Sequence, residues 1–280
     1  MKKIKSFSFQ GVNGAYSEQA GKNLHPEANS IACSTFEDMF EQVRNGNADA
    51  AMVPIENSLA GRVADTQRLI PDSNLKITSE YFLEINHNLL GIKGAKISDI
   101  KRVHSHEQGI AQCRNKIINL NKEMIVEADT AGSAKMISEL NNIEDAAIAS
   151  ELAAQIYKLE ILEKNFQDTK NNVTRFLVMQ KELKDIDVNS NQILTTLVFN
   201  VRSIPAALYK CLGGFASNGV NITKLESYVH PQGFDVAQFY IDFEGHPENP
   251  SVKLALEEMK FFCKQLKILG VYEKSSFRKK

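Results

Sequence analysis

Two adjacent residues near the middle of the chain have side chains suited to a small anion. Thr174 offers a hydroxyl donor, and Arg175 offers a permanently charged guanidinium whose planar fork matches a carboxylate. Both stand at the head of an apolar run, in the sequence Asn-Asn-Val-Thr-Arg-Phe-Leu-Val at 171–178. The pair predicts a site that holds an anion and donates a proton to it. A strand that begins with surface polar residues is the alternative.

Other polar side chains follow apolar runs at points where strands are expected to end. Ser58, Ser105, Thr130 and Ser150 each precede helix-forming residues, as N-cap residues do. This alternation predicts an α/β fold for roughly the first 180 residues. Because strand carboxyl ends and helix N-termini bind anions, we expect Ser58, Ser105 and Thr130 to face one crevice. Ordinary helix caps are the alternative for each residue.

Hydrophobic spacing adds a helix and two long strands to this part of the chain. Residues 35–44 are predicted to form a helix that ends at Asn45-Gly46. Segments 80–91 and 174–179 read as strands that cross between two α/β lobes. Two crossings predict a hinged pair of lobes with Thr174 and Arg175 facing the cleft.

The C-terminal part of the chain has a different pattern. Residues 181–191 are charged and polar and are predicted to be a linker. The order βαββαβ that follows is typical of a ferredoxin-like fold. Its predicted strands are 195–201, 220–229, 234–243 and 266–272, and its predicted helices are 205–217 and 250–265. The buried face of the second helix is expected to consist of Leu254, Leu256, Met259, Phe261 and Phe262.

Composition limits the classes of function that need to be considered. The 280 residues carry a net charge of -1, which argues against nucleic acid or an anionic membrane as the main partner. The four cysteines lack metal or disulfide spacing and are predicted to be reduced thiols. No segment has the pattern of a signal peptide or a bilayer span, so we expect a cytoplasmic protein.

Several motifs together identify a family. They are Gly-Val-Asn-Gly-Ala-Tyr-Ser at 11–17, Val-Pro-Ile-Glu-Asn-Ser at 53–58, Ser-His-Glu-Gln at 105–108 and Thr-Arg-Phe at 174–176. With them the chain resembles prephenate dehydratase from end to end, and its C-terminal segment resembles an ACT regulatory domain. The resemblance implies a two-lobed, periplasmic-binding-protein-like α/β catalytic domain in 1–183, with crossings near 80–90 and 174–179. An α+β ferredoxin-like ACT domain is expected in 192–280.

The resemblance implies a carbon-oxygen lyase that converts prephenate to phenylpyruvate in L-phenylalanine biosynthesis. Thr174 is expected to assist departure of the ring hydroxyl, with a proton relayed through bound water or Glu56. A structural role for Glu56 is equally open. Arg175 should hold the retained carboxylate, because clamping the departing one would slow its loss. The substrate-binding residues implied by the motifs are Arg175, Asn57, Ser58, Ser105, Gln112, Phe176, Tyr16 and Ser17.

No metal or organic cofactor is expected, because aromatisation drives the reaction and no electron sink is required. His104 and His106 form only a weak metal pattern, since no third ligand is identifiable.

The resemblance also implies an amino-acid effector, L-phenylalanine, and a homodimer or a dimer of dimers. The implied effector-binding residues are Ala207, Leu208, Asn221, Glu226 and Ser227. Three motifs depart from the family pattern: Glu107 replaces Pro, Ala206 replaces the Gly of Gly-Ala-Leu, and Tyr228-Val229 replaces Arg-Pro. Phenylalanine inhibition is still expected.

Other functions remain open at this point. Arogenate, which has an amino group where prephenate has a keto group, is the rival substrate. A solute-binding protein would share the two hinged lobes, and an amino-acid sensor without catalysis would share the regulatory segment. No chorismate mutase segment is expected before residue 1.

Overall fold

The computed structural model describes residues 3–183, 185–188, 190, 192–229 and 237–279. Short 3-10 turns lie at Ile70–Asp72 and Ser276–Lys279. The strands and α-helices are, in chain order, β1 (Ser6–Gln10), α1 (Tyr16–Leu24), β2 (Asn29–Cys33), α2 (Phe36–Asn45), β3 (Ala50–Asn57), β4 (Gly61–Arg62), α3 (Ala64–Leu69), β5 (Lys76–Glu84), β6 (Asn88–Gly91), β7 (Arg102–His106), α4 (Glu107–Gln112), α5 (Arg114–Asn119), β8 (Glu123–Glu127), α6 (Thr130–Leu140), β9 (Asp145–Ala149), α7 (Glu151–Tyr157), β10 (Glu160–Glu163), β11 (Val173–Gln180), β12 (Ile193–Val201), α8 (Ala207–Ser217), β13 (Ile222–Val229), β14 (Ala237–Glu244), α9 (Pro250–Phe262) and β15 (Cys263–Glu273).

Internal packing divides the chain into two compact units. The first consists of Met1–Thr66 and Tyr81–Phe176, and the second of Gln67–Glu80 and Leu177–Lys280. The chain therefore enters the second unit twice, at Gln67 and at Leu177, and returns to the first unit once, at Tyr81. The domain boundaries expected from the sequence, 1–183 and 192–280, stay a prediction.

The first unit contains two sheets flanked by helices. In one sheet β1 lies between β2 and β3 and pairs with both in parallel, and β11 follows beside β3. The other sheet has the order β10-β6-β9-β7-β8, with β7 parallel to β8 and β9. The strands are mostly apolar because helices cover their faces. The predicted α/β lobes are confirmed.

Two predicted elements of this unit have different outcomes. The helix predicted over 35–44 is α2: Thr35 Oγ1 accepts from Asp38 N–H, and Gly46 ends it at a φ of 83°. The single strand predicted over 80–91 is wrong. Residues 80–84 belong to β5 and 88–91 to β6, and these strands lie in different sheets.

The second unit has the predicted βαββαβ order, and β13-β14-β12-β15 form an antiparallel sheet. Strand β5 extends it in parallel beside β15, where Gly270 faces Ile77. A Cβ at Gly270 would meet the Ile77 backbone, so glycine permits this close approach. Buried apolar side chains from both helices and the sheet form the core, including Phe199, Phe215 and Met259.

Some predicted boundaries in this unit shift. Helix α8 begins at Ala207 rather than at 205, and α9 ends at Phe262 because Cys263 adopts an extended conformation. Leu254 and Phe261 were predicted to be buried, but their side chains are 53% and 68% exposed. Of the predicted strand and linker segments, residues 230–236 and positions 184, 189 and 191 lie outside the described residues.

Among the helices given above, none combines the length and apolar composition needed to span a bilayer.

Candidate active site

Asn57 and Thr174 meet where β3 ends and β11 begins. Asn57 Oδ1 accepts from the backbone N–H groups of Leu59 at 3.0 Å and Ala60 at 2.8 Å. The amide oxygen is thereby fixed toward the turn, so the Nδ2 group must face β11. It donates to Thr174 Oγ1 at 2.9 Å and to Asn172 Oδ1 at 2.6 Å. In the described part of the chain no residue accepts the proton of Thr174 itself.

The hydrogen bonds continue from Asn172 through three more side chains. Asn172 Nδ2 donates to Gln112 Oε1 at 2.8 Å. The same oxygen lies 2.7 Å from His87 Nε2, and His87 Nδ1 lies 2.7 Å from the hydroxyl of Tyr16. Tyr16, Asn57, Gln112 and Thr174 were all predicted site residues, and the structure joins them into one network. His87 and Asn172 were not predicted to be site residues.

Burial controls the ionisation of the network. The His87 side chain is buried, and this burial lowers its pKa, while the hydrogen bond to Gln112 acts in the opposite direction. Burial also raises the pKa of Tyr16, with a smaller contribution from Cys113. Both groups are therefore neutral at physiological pH, and the network contains no formal charge.

Arg175 and Glu56 lie on the other face of the same two strands. Successive strand residues point to opposite faces, so Arg175 diverges from Thr174 and Glu56 diverges from Asn57. Arg175 Nη1 lies 3.0 Å from Glu56 Oε1, and the arginine side chain is only 2% exposed. Glu56 is engaged by Arg175, as the structural alternative for this residue expects, and its role as a proton relay to Thr174 stays a prediction. Direct contact of Arg175 with a ligand stays a prediction.

Ser58 has a different role from the predicted helix cap. Its hydroxyl donates to the Asn171 carbonyl at 3.0 Å and accepts from Val173 N–H at 2.9 Å. The side chain thus connects the turn after β3 to the start of β11. It caps no helix, because β3 is followed by β4.

Ser105 was also predicted to cap a helix and is instead fully buried within β7. It donates to the Ile148 carbonyl at 2.8 Å, and His106 provides the N-cap of α4. Ser105 and Gln112 therefore do not share a helix face. A Cβ at Gly109 would lie 2.5 Å from Ser105 Oγ, so the serine packs directly against α4.

The other two predicted caps differ from each other. Asp129, and not Thr130, caps α6, so the crevice predicted from Ser58, Ser105 and Thr130 as caps is wrong. Ser150 caps α7 as predicted, and its hydroxyl also donates to the Gly14 carbonyl at 2.6 Å.

The glycine loop at 11–14 leads into α1 and brings Tyr16 to the network. Gly11 and Gly14 have φ values of 115° and 92°, which glycine adopts readily. A Cβ at Gly14 would lie 2.8 Å from Ala153 Cα. Ser17 is half-buried in the first turn of α1, and Phe176 is buried with 1% exposure. Neither side chain belongs to the network.

The weak metal pattern of His104 and His106 has another explanation. His104 lies between two carboxylates, 3.1 Å from Glu127 and 3.3 Å from Asp145, and His106 caps α4. Across the residues that the structure describes, no three His, Cys, Asp or Glu side chains are grouped to hold a metal ion.

Comparison with known proteins shows the family of the chain. The family model for prephenate dehydratase matches residues 7–184, which include every member of the network. The chain belongs to the prephenate dehydratase family.

Relatives extend the match over almost the whole chain. A bifunctional N-acyl-homoserine lactone acylase/prephenate dehydratase of Komagataeibacter europaeus is 44% identical, over 98% of this chain and 97% of the relative. Arogenate dehydratase/prephenate dehydratase 2 of Arabidopsis thaliana is 39% identical over 95% and 72%. The crystal structure of an Arthrobacter aurescens prephenate dehydratase with L-Phe has a TM-score of 0.86 and 31% identity, covering 96% and 90%.

The effector residues expected of a prephenate dehydratase with an ACT domain are spread over the second unit. Ala207 and Leu208 begin α8 and line a pocket with residues 201–206, Tyr209 and Lys264. Asn221 and Ser227 are exposed, and Glu226 pairs with Lys224 at 3.0 Å. Ala207 and Leu208 thus lie together at this pocket. Asn221, Glu226 and Ser227 are not among the residues that line it.

Proposed function

We propose that this member of the prephenate dehydratase family is a carbon-oxygen lyase that converts prephenate to phenylpyruvate, carbon dioxide and water. The observation that carries the proposal is the hydrogen bond from Asn57 Nδ2 to Thr174 Oγ1. Because Thr174 already accepts this bond, its own proton is available to an incoming oxygen. A leaving hydroxyl needs such a donor.

In the proposed reaction the bond between the ring and its carboxylate breaks, and its electron pair forms the new ring double bond. The carbon–oxygen bond of the ring hydroxyl breaks at the other end of the ring, and the oxygen leaves as water after it gains a proton. Thr174 donates a hydrogen bond to that oxygen as charge develops on it. The predicted contact of Arg175 with the retained carboxylate requires that carboxylate to compete with Glu56 for the guanidinium.

The activity is tested by supplying prephenate and arogenate separately and identifying the products. Phenylpyruvate from prephenate with a higher kcat/KM than for arogenate is the expected result. Faster formation of phenylalanine from arogenate would instead make arogenate the preferred substrate. The name of the A. thaliana relative includes arogenate dehydratase as well as prephenate dehydratase. If the protein turns over neither prephenate nor arogenate, the proposal is contradicted. An N-acyl-homoserine lactone belongs in the same assay, because a relative is named for that activity.

We also propose that L-phenylalanine inhibits the enzyme by binding to the second unit between two copies of the chain. The support is the L-Phe complex of the related A. aurescens enzyme and the pocket that contains Ala207 and Leu208. Calorimetric titration with phenylalanine should give heat, and the same concentrations should lower turnover. If millimolar phenylalanine gives neither heat of binding nor a loss of turnover, the second unit serves only in the assembly of the oligomer.

A further inference from the structure

The orientation of each amide in the Tyr16–Thr174 network depends on the group at each end. At one end the backbone N–H groups of Leu59 and Ala60 fix Asn57 Oδ1. Asn57 must then donate to Asn172 Oδ1, which leaves Asn172 Nδ2 as the donor to Gln112 Oε1. Each amide in turn has one allowed orientation, because a donor must face an acceptor.

His87 closes the other end of the network. Gln112 Oε1 carries no proton, so the 2.7 Å contact with His87 requires a proton on Nε2. In the neutral ring Nδ1 is then an acceptor. The Tyr16 hydroxyl has two acceptors within reach, this Nδ1 at 2.7 Å and the Asn86 carbonyl at 3.1 Å, and the Nε2 tautomer directs its single proton to the nearer Nδ1. With the other tautomer a lone pair of His87 would face the oxygen of Gln112. Rotation of the Gln112 amide would relieve that conflict and create another with Asn172.

The imidazole is held firmly in this position. The His87 backbone N–H donates to Gln167 Oε1 at 3.0 Å, and its carbonyl accepts from Phe166 N–H at 2.6 Å. The ring packs edge-on against Tyr16, with centroids 5.5 Å apart. The two backbone hydrogen bonds fix the main chain from which the ring projects, and the contact with Tyr16 keeps Nε2 directed toward Gln112.

We propose that His87 is a positioning residue: the proton on its Nε2 acts with the backbone N–H groups of Leu59 and Ala60 at the other end of the network. Together they hold the amides of Gln112, Asn172 and Asn57 in the orientation in which Thr174 is a donor. This inference rests on the proposed lyase function for its effect on turnover. The tautomer and the amide order are properties of the unliganded protein and do not rest on it. Thr174 touches the leaving oxygen, and His87 acts only through the three amides.

Two substitutions of equal length separate this role from packing. Glutamine in His87→Gln places an amide donor near the position of Nε2, whereas methionine in His87→Met has the same length and no donor. We expect His87→Met to lower kcat by about ten- to a hundredfold with KM changed less than about threefold, because Thr174 acts on the departing group. His87→Gln should restore most of the lost turnover. Circular dichroism and thermal unfolding verify that both variants fold.

A second measurement needs no substrate. Nitrogen-15 NMR of the imidazole in the unliganded protein, assigned with His87→Gln, should show His87 protonated on Nε2 alone at neutral pH. Protonation on Nδ1 alone, or an imidazolium, overturns the proposal. Equal loss of turnover in His87→Gln and His87→Met also overturns it, as does unchanged kcat in His87→Met. If His87→Met does not fold, His87→Asn, whose shorter amide cannot reach Gln112, takes its place.

These outcomes keep the two proposals apart. A wild-type protein that turns over neither prephenate nor arogenate contradicts the proposed function, while the NMR result still decides the arrangement around His87. An active wild type with the wrong tautomer contradicts the positioning role alone.

Discussion

At the scale of single residues, a neighbouring amide decides what a hydroxyl can do. A threonine hydroxyl can donate and accept, and Asn57 occupies the accepting side of Thr174. Asn57 is itself fixed by two backbone N–H groups that belong to the turn after β3. The donor character of Thr174 therefore follows from the local fold of a segment more than a hundred residues away in sequence.

Substitution of Thr174 by valine removes the donor and nearly preserves the shape of the side chain. We expect Thr174→Val to fold, to bind prephenate, and to lose about a hundred- to a thousandfold in kcat, since one such hydrogen bond is worth roughly 3 to 4 kcal/mol in a transition state. Steady-state kinetics measures the loss. Thr174→Ser, which keeps the hydroxyl, is the matched control. If kcat falls less than about tenfold in folded Thr174→Val, Thr174 is not the residue that donates to the leaving oxygen.

The sequence predicts that Arg175 contacts the retained carboxylate, but its 2% exposure and its ion pair with Glu56 favour a role in stability instead. Arg175→Lys keeps the charge and loses the planar fork. The free energy of unfolding should fall by about 2 kcal/mol, with KM unchanged within about threefold. Urea unfolding and steady-state kinetics test this pair of outcomes. A rise in KM above about tenfold without loss of stability would instead assign Arg175 to the retained carboxylate.

At the scale of elements, charged side chains join neighbouring strands of the second sheet of the first unit. Arg102 on β7 donates to both carboxylate oxygens of Asp145 on β9, at 2.5 and 3.0 Å. These hydrogen bonds lower the pKa of Asp145, His104 adds to the effect, and burial opposes it. The ionised carboxylate therefore stabilises the folded state relative to the unfolded one.

The sign of the resulting pH dependence follows from linkage. A lowered folded-state pKa stabilises the protein fully above the unfolded carboxyl pKa of about 3.9, and this stabilisation is lost as the pH falls through the folded value. At pH 7 Asp145→Asn should reduce the free energy of unfolding by roughly 1 to 2 kcal/mol, a modest figure because Arg102 is one-third exposed. The difference from wild type should shrink toward pH 3 in urea titrations. If the difference in the free energy of unfolding between wild type and Asp145→Asn stays constant with pH, the ionised carboxylate is not the source of the stabilisation.

The start of α8 contains a strained residue that substitution can test. Ala206 has a φ of 59° in the left-handed region, which glycine adopts without the steric penalty of a Cβ. Ala206→Gly should raise the free energy of unfolding by roughly 0.5 to 1 kcal/mol, after allowance for the greater freedom of glycine in the unfolded chain. Ala216→Gly, on the exposed face of the same helix, should lower it. Thermal unfolding of both variants measures whether the two changes in the free energy of unfolding have opposite signs. Changes of the same sign would show that Ala206 is not strained.

Sequence patterns predicted those elements whose signals are local. Thr35 and Gly46 delimit α2 because a cap and a left-handed turn act on adjacent backbone groups. The network could not be predicted in this way, since the contacts of Gln112 with His87 and Asn172 span 25 and 60 residues. A hydroxyl at the end of an apolar run also gives no sign of its direction, and Ser105 points into the interior. The polar residues Asn86 and His87 within an apolar segment were the available signal of a break between strands.

At the scale of the whole molecule, the second unit is built from two separated segments of the chain. Glu80, in the segment 67–80, has a fully buried carboxylate that accepts from Arg278 at 2.7 and 2.9 Å and from Ser275 N–H at 3.0 Å. Removal of a partner from a buried ion pair leaves a desolvated charge, which is strongly destabilising. The pair therefore ties β5 to the segment after β15.

Arg278→Ala should lower the free energy of unfolding by about 3 kcal/mol because Glu80 stays buried without the guanidinium. Glu80→Gln combined with Arg278→Ala should recover part of that loss, since the remaining side chain is neutral. Denaturant unfolding of the single and double variants gives the coupling between them. Equal stability of the two variants would mean that Glu80 is protonated or solvated when Arg278 is absent.

The separation of Glu80 and Arg278 by 198 residues also has a consequence in time. During synthesis at about 5 to 20 residues per second, the ribosome needs roughly 10 to 40 s to pass from one to the other. Throughout that interval Glu80 cannot form its ion pair with Arg278, and the edge of β5 that will lie beside β15 lacks that neighbouring strand. The first unit, complete at Phe176, can fold during the delay. Synthesis thus imposes an order in which the second unit closes last.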